Sequence, residues 1–311
     1  MNVDQTPSQR ETDSNGILVA PAPWPLKARM WNFVVSPLKV NRVNGKSSAV
    51  FPAGWAAPFQ ADAMAEGEIV AGHPGFIMLV QYTDTPVGPY DELMYIAGKF
   101  SKGKGTSESS DNDKQTPDAK GDVETGFRIT RIFVSTKESV ANGRRNWNIG
   151  KELAKFNYTR NPDGSWDLAV YPLEQADPFF HISVRPIPVL GSIPIPMDFK
   201  ILGSYFRLLH PPLPSGPAGS ASAVVQSNTN PDGSLKEPKW AALIPAIKGK
   251  MKLVTYESKV DLRAEVGGED SEQGGRKKAI ADGVNFPAVV PWKLGAYLED
   301  VDIDFYASDW V

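Results

Sequence analysis

The 311-residue chain contains no cysteine. That excludes disulfides, thiolate nucleophiles and cysteine-based metal sites, and it leans towards an intracellular location, here expected to be cytoplasmic. Histidine is scarce. His73, His181 and His210 are the only three; they are far apart in sequence and show no ligand spacing, so they read as structural and no metal is expected. No apolar run approaches the ~18 residues that a membrane-spanning helix needs. The first residues, MNVDQTPSQRETDSNG, lack the apolar stretch of a secretory signal. The net charge of -3 comes from mixed signs, so no basic face suited to nucleic acid is expected. No phosphate loop, dinucleotide fingerprint or Ser/His/Asp motif occurs, and no cofactor is expected.

What the chain does have is glycine and proline, 27 of each. Such a composition favours turn-rich β structure over a helical bundle. RMWNFVVSPL, FIMLVQYTD, ELMYIAGKF, FRITRIFVST, WDLAVYPL, FFHISVRPI, MKLVTYESKVDLRAEV and DVDIDFYASDW are rich in β-branched and aromatic residues, and many alternate with period two. FNYTRNPDGSWDLAVY places Asn-Pro-Asp-Gly between two such runs, which reads as a hairpin. Helices are few. STKESVANGRR can be capped by Ser135 with Glu138 three residues on, and GKELAKF reads as a second helix starting after Gly150. PIPVLGSIPIPMDF, broken by four prolines, reads as an extended segment that is buried or lines a channel.

The expected fold class is α+β and sheet-dominated, as a barrel or two packed sheets. Residues 1–16 read as a disordered tail and 17–311 as a single domain. Loop insertions are expected near 101–122, 211–233 and 265–278, where Gly, Ser, Pro and charge replace large apolar residues.

Two stretches carry the chemistry. VGPYDELMYIAGKF (87–100) and FRITRIFVSTKESVANGRRNWNIGKELAKF (127–156), together with APAPWPLKARMWNFVV near the N-terminus, resemble the acetoacetate decarboxylase-like superfamily, in its fungal-type version. The resemblance extends from about residue 20 to the C-terminus. It implies a β-barrel-like or double-sheet core with few helices around a buried cavity. It also implies a catalytic lysine, matched by Lys151, that forms a Schiff base with a keto acid. Glu92 matches a cavity glutamate, and Arg29 is the match for an arginine on the first strand. Tyr90, Arg144 and Trp147 complete the expected substrate contacts. The family often assembles into multimers, so a homo-oligomer is a further expectation.

The chemistry requires these residue types. A protonated imine accepts the electron pair left by departing carbon dioxide far better than a ketone does. To form it, a lysine whose ordinary pKa is ~10.4 must present a free amine, which burial or a nearby cation favours. Trp147, Ile149, Leu153 and Phe156 are the expected apolar walls, and Arg144 or Arg145 the cation. Two departures from the family pattern bear on this. Glu152 stands where a second lysine follows the reactive one, and Gly150 stands where relatives commonly have proline.

The expected function is therefore cofactor-independent decarboxylation of a keto acid through a lysine Schiff base. The alternatives are a non-catalytic binding protein for a small hydrophobic metabolite and an aldolase-dehydratase-type enzyme using the same lysine. Plainer readings stand beside these: Lys151 as a solvated charge at a helix start, Glu92 as a surface carboxylate at a turn, Arg29 as an ordinary strand arginine and Trp147 as core.

Overall fold

WPLKARMWNFVV forms the first strand, β1 (Trp24–Val35), and its alternation changes phase midway. Trp24, Leu26, Ala28 and Met30 are buried on one face, whereas Trp31, Phe33 and Val35 are buried on the other. Successive side chains of a strand point to opposite sides of the sheet, so β1 serves two cores, one on each face. A computed structural model describes residues 11–43, 46–102, 124–214, 239–260 and 279–311 of the chain.

Six further strands frame the site: β4 (Gly75–Asp84), β5 (Tyr90–Ser101), β6 (Thr125–Val134), β7 (Glu152–Leu153), β14 (Ala246–Ser258) and β15 (Leu294–Phe305). The others are β2 (Lys39–Val43), β3 (Lys46–Val50), β8 (Lys155–Arg160), β9 (Trp166–Tyr171), β10 (Phe180–Pro186), β11 (Ile195–Asp198), β12 (Leu208–His210), β13 (Ala241–Leu243) and β16 (Asp309–Trp310). Among the described residues they form one 14-stranded sheet and a separate β2–β3 ribbon. The order is β16-β13-β12-β6-β5-β4-β1-β15-β14-β10-β9-β8, with β11 on β14 and β7 on β6. This is the sheet-dominated α+β architecture expected from composition.

The expected barrel is not closed, since the hydrogen-bonded path ends at β16 and β8. The sheet instead curls over its own core. Trp31 of β1 meets Tyr158 of β8, Trp166 of β9 and Tyr297 of β15 at ring-centroid distances of 5.6, 5.1 and 5.5 Å. The Tyr158 hydroxyl donates to the Glu92 carbonyl of β5 at 3.2 Å. Burying large aromatic rings supplies much of the drive for this curling. The other face carries the second core, around Met30, Met94, Ile129, Leu298 and Ile303.

Two α-helices are described, α1 (Ala61–Ala65) and α2 (Lys137–Trp147). The expected helix after β6 is α2, but its cap is Thr136, whose side chain accepts from the Ser139 N–H. Ser135 is occupied elsewhere: its hydroxyl accepts from the Asp91 N–H at 2.9 Å. Asn148 ends α2 in the left-handed conformation, φ 51°, with Arg144 and Arg145 in the last turn, where cations favour the helix dipole. GKELAKF is not helical. It forms β7 and the start of β8, because pairing with β6, Phe133 opposite Glu152 and Val134 opposite Leu153, outweighs the weak helical preference of Glu, Leu, Ala and Lys.

The Asn161–Gly164 turn joins β8 and β9 as the hairpin reading requires. PIPVLGSIPIPMDF departs from its reading. Val189, Leu190, Ile193 and Ile195 are exposed, whereas Gly191 is buried, Met197 packs onto the core, Phe199 enters an apolar cavity, and Pro194, Pro196 and Met197 line an open pocket. The expected insertions fall largely on 103–123, 215–238 and 261–278, outside the described residues. So do residues 1–10 of the expected tail; in 11–16, Asp13 accepts from Arg145 at 3.0 Å. No helix among the described residues is long and apolar enough to cross a membrane.

Candidate active site

Val134, at the end of β6, lies opposite Glu92 on one side and Leu153 on the other. This pairing brings the α2–β7 loop, which carries Lys151, over the start of β5. Lys151 and Glu92 are both buried. Lys151 Nζ donates to Glu92 Oε2 at 2.8 Å and to the Ser139 hydroxyl at 3.0 Å. Tyr82 donates its hydroxyl to the other oxygen, Glu92 Oε1, at 3.1 Å. The Lys151 amine also lies 5.2 Å from the Tyr90 ring centroid.

A glycine makes room for the lysine. A Cβ on Gly143 would sit 2.7 Å from Lys151 Cε and 2.8 Å from Cδ. Glycine costs a helix interior about 1 kcal/mol relative to alanine, so its place in α2 is explained by the close passage of the Lys151 stem. Gly150 has a similar cause: a side chain there would collide with the buried Gln60 amide. Gln60 in turn donates to the Thr130 carbonyl at 3.0 Å.

Burial pushes the Lys151 pKa down, as a free-amine reading expects. The Glu92 carboxylate and Tyr90 outweigh burial, and the net direction is upward. The expectation of a lowered lysine pKa is thereby corrected. Burial does shelter the amine, but an anion at hydrogen-bond distance stabilises its charged form. Burial, and then Glu92, holds the Tyr82 phenol well above its ordinary range. Burial likewise raises Tyr90, against the opposing pull of Lys151.

Glu152, the anion next in sequence, does not act on Lys151. It pairs with Arg131, and burial raises its pKa against the pull of Arg131 and Arg144. Arg144 does not supply the field either. Its guanidinium donates to the Lys151 backbone carbonyl at 3.1 Å and lies 4.7 Å from the Phe59 ring centroid. It therefore positions the loop that carries the lysine. Arg145 binds Asn142 and Asp13.

A cavity of about 20 Å³ touches the amine, walled by Glu92, Tyr90, Trp24, Ile132, Trp147 and Ile149. Trp147 packs edge-on against Trp24 and Phe305 at 5.0 and 5.1 Å and donates its indole N–H to the Tyr306 carbonyl. Leu153 packs on the same core, whereas Phe156 belongs to the core on the other face. Of the expected site residues, the structure thus brings together Lys151, Glu92, Tyr90 and Trp147.

Arg29 is not among them. It pairs with Gln81, which pairs with Asp91, whereas Met30, Val80 and Glu92 form the next row. Arg29 therefore points to the opposite face, where it donates to Gln81 Oε1 at 2.9 Å and lies 4.8 Å from the Trp166 ring centroid. Sequence reasoning missed Ser139, Tyr82 and Gly143. Ser139 and Gly143 are four residues apart on α2, which puts them on one helix face and was the available signal.

The sequence matches no protein-family model and no curated protein. Solved structures do match. An acetoacetate decarboxylase from Legionella pneumophila aligns over 99% of this chain and 93% of its own, with a TM-score of 0.50 and 11% identity. A second acetoacetate decarboxylase structure aligns over 98% and 95%, with a TM-score of 0.51 and 9% identity. The fold of this chain is therefore that of the acetoacetate decarboxylases.

Proposed function

We propose that the chain is a cofactor-independent lyase in which Lys151 forms a Schiff base with a keto acid and decarboxylates it. The observation that carries this reading is the buried Lys151 amine, 2.8 Å from the Glu92 carboxylate and facing a cavity. Buried lysines are rare unless paired or put to use, and perturbed groups in a cavity mark functional sites.

The resting state is an ammonium–carboxylate pair. A carbonyl compound brought against the amine displaces water from it, and the proton passes from Nζ to Glu92, leaving two neutral groups in an apolar site. The amine then adds to the carbonyl carbon. A nitrogen proton moves to the new oxygen, Glu92 returns its proton to the departing hydroxyl, and water leaves. Ammonium and carbonyl have become iminium and water, and Glu92 ends as it began.

With a β-keto acid the bond to the carboxylate then breaks. Its electron pair enters the iminium to give an enamine, and carbon dioxide departs. A proton from solvent adds to the enamine carbon, and hydrolysis of the resulting iminium releases the ketone and restores Lys151. Before substrate binds, Tyr82 donates to Glu92 and the Ser139 hydroxyl accepts from the amine, which orients both groups.

Sodium borohydride added with a keto acid tests the proposal. It should fix the substrate mass on Lys151, and Lys151→Ala should fold yet release no carbon dioxide. A wild-type protein that stays unlabelled ends the reading. The second reading, a binding protein for an apolar metabolite, is favoured by the ion pair that keeps the amine protonated at rest. It requires ligand binding with no borohydride adduct. Adduct formation without carbon dioxide release would favour an aldolase-dehydratase.

A further inference from the structure

The space at the Lys151 amine, about 20 Å³, is close to that of a single water molecule and too small for a keto acid. A second cavity adjoins it. Tyr82, Met94, Ile129 and Phe305 line both, so the two are separated by no more than these side chains. The second cavity measures about 130 Å³, and its walls include Met30, Phe76, Met78, Phe127, Phe206 and Ile247. No charged side chain lines it, and Asn32 and the Tyr82 phenol are its polar members.

We infer that this second cavity is a tail site, so that the carbonyl substrate carries an apolar tail of about five or six carbons, or one phenyl ring. The inference rests on the proposed imine chemistry for the head of the substrate and on the cavity alone for the tail. Its size is near the ~150 Å³ of an apolar protein cavity that takes up benzene. With no charged lining, an ionised tail would lose its hydration without replacement, and Asn32 Oδ1 offers a polar tail a single acceptor. Met30, Met78 and Met94 are unbranched and adaptable, which suits a chain of variable shape.

Two measurements on the full chain test this. In the first, 3-oxo acids of increasing length, from acetoacetate to 3-oxododecanoate, are compared by the rate of borohydride trapping at Lys151. Each added methylene should raise the rate per unit concentration about fourfold until the cavity is full, after which it levels. In the second, calorimetry follows 2-heptanone, a neutral ketone with a five-carbon tail. It should bind the wild-type protein and bind Met78→Trp at least tenfold more weakly. Ile247→Phe, on a different strand, should weaken it in the same direction and serves if the first variant does not fold.

Equal trapping of short and long acids overturns the inference. So does 2-heptanone binding that is absent from the wild type or unaffected by both filling variants. Binding that obeys these expectations while no compound labels Lys151 upholds the tail site and removes the imine chemistry, so the two failures are distinct.

Discussion

Lys151 Nζ and Glu92 Oε2 stand 2.8 Å apart with both side chains buried, so each is the other's charge partner in a dry site. Removing one member strands a charge away from water, which typically costs about 3–5 kcal/mol. Lys151→Met and Glu92→Gln should each destabilise by that order in denaturant unfolding. The double variant Lys151→Met/Glu92→Gln should be more stable than the sum of the two losses predicts. Strictly additive losses would show that the pair is not coupled.

The same pair sets an alkaline limit. The folded pKa of Lys151 lies above its ordinary value of 10.5, so the folded protein holds this proton more tightly than the unfolded chain does. Its contribution to stability is complete below that ordinary value and is lost as pH rises through the folded value. The wild type should lose stability in this alkaline range more steeply than Lys151→Met, as read by urea midpoints. Parallel profiles would contradict the shift.

His210 sets the acid limit. Burial, and then Arg128, lowers its pKa to about 3, and neutral Nε2 accepts from the Ile129 N–H at 3.1 Å. Between that value and the ordinary 6.5 the unfolded chain binds a proton that the folded protein refuses, so stability falls as pH drops through this window. His210→Gln should flatten that part of the pH–stability curve. An unchanged slope would place the acid sensitivity elsewhere.

Gly143→Ala separates helix propensity from site geometry. Alanine favours the helix by up to about 1 kcal/mol, but its Cβ meets the Lys151 stem. The melting temperature should fall, because displacing the stem loosens the Lys151–Glu92 pair, and borohydride labelling of Lys151 should fall at least tenfold. Full labelling would show that the lysine can relocate without loss.

Much of the framework was legible because strand and hairpin signals are local. The alternation in the main strands and the Asn161–Gly164 turn depend on neighbours a few residues away, and they appear where expected. Lys151 and Glu92 could be singled out by residue type and by resemblance. Their mutual distance could not, since it depends on Val134 pairing with both flanking strands.

The sequence by itself determined a strand-rich chain without thiol chemistry, one lysine worth questioning and a glutamate to set beside it. Only the tertiary structure decided that Glu152 turns to Arg131, that Arg29 faces away, that GKELAKF is extended and that the lysine proton is held by Glu92. The reason is physical. Which face a strand residue shows depends on register, and register is settled by partners distant in sequence. A buried group's charge state likewise depends on what folding places within a few ångströms of it.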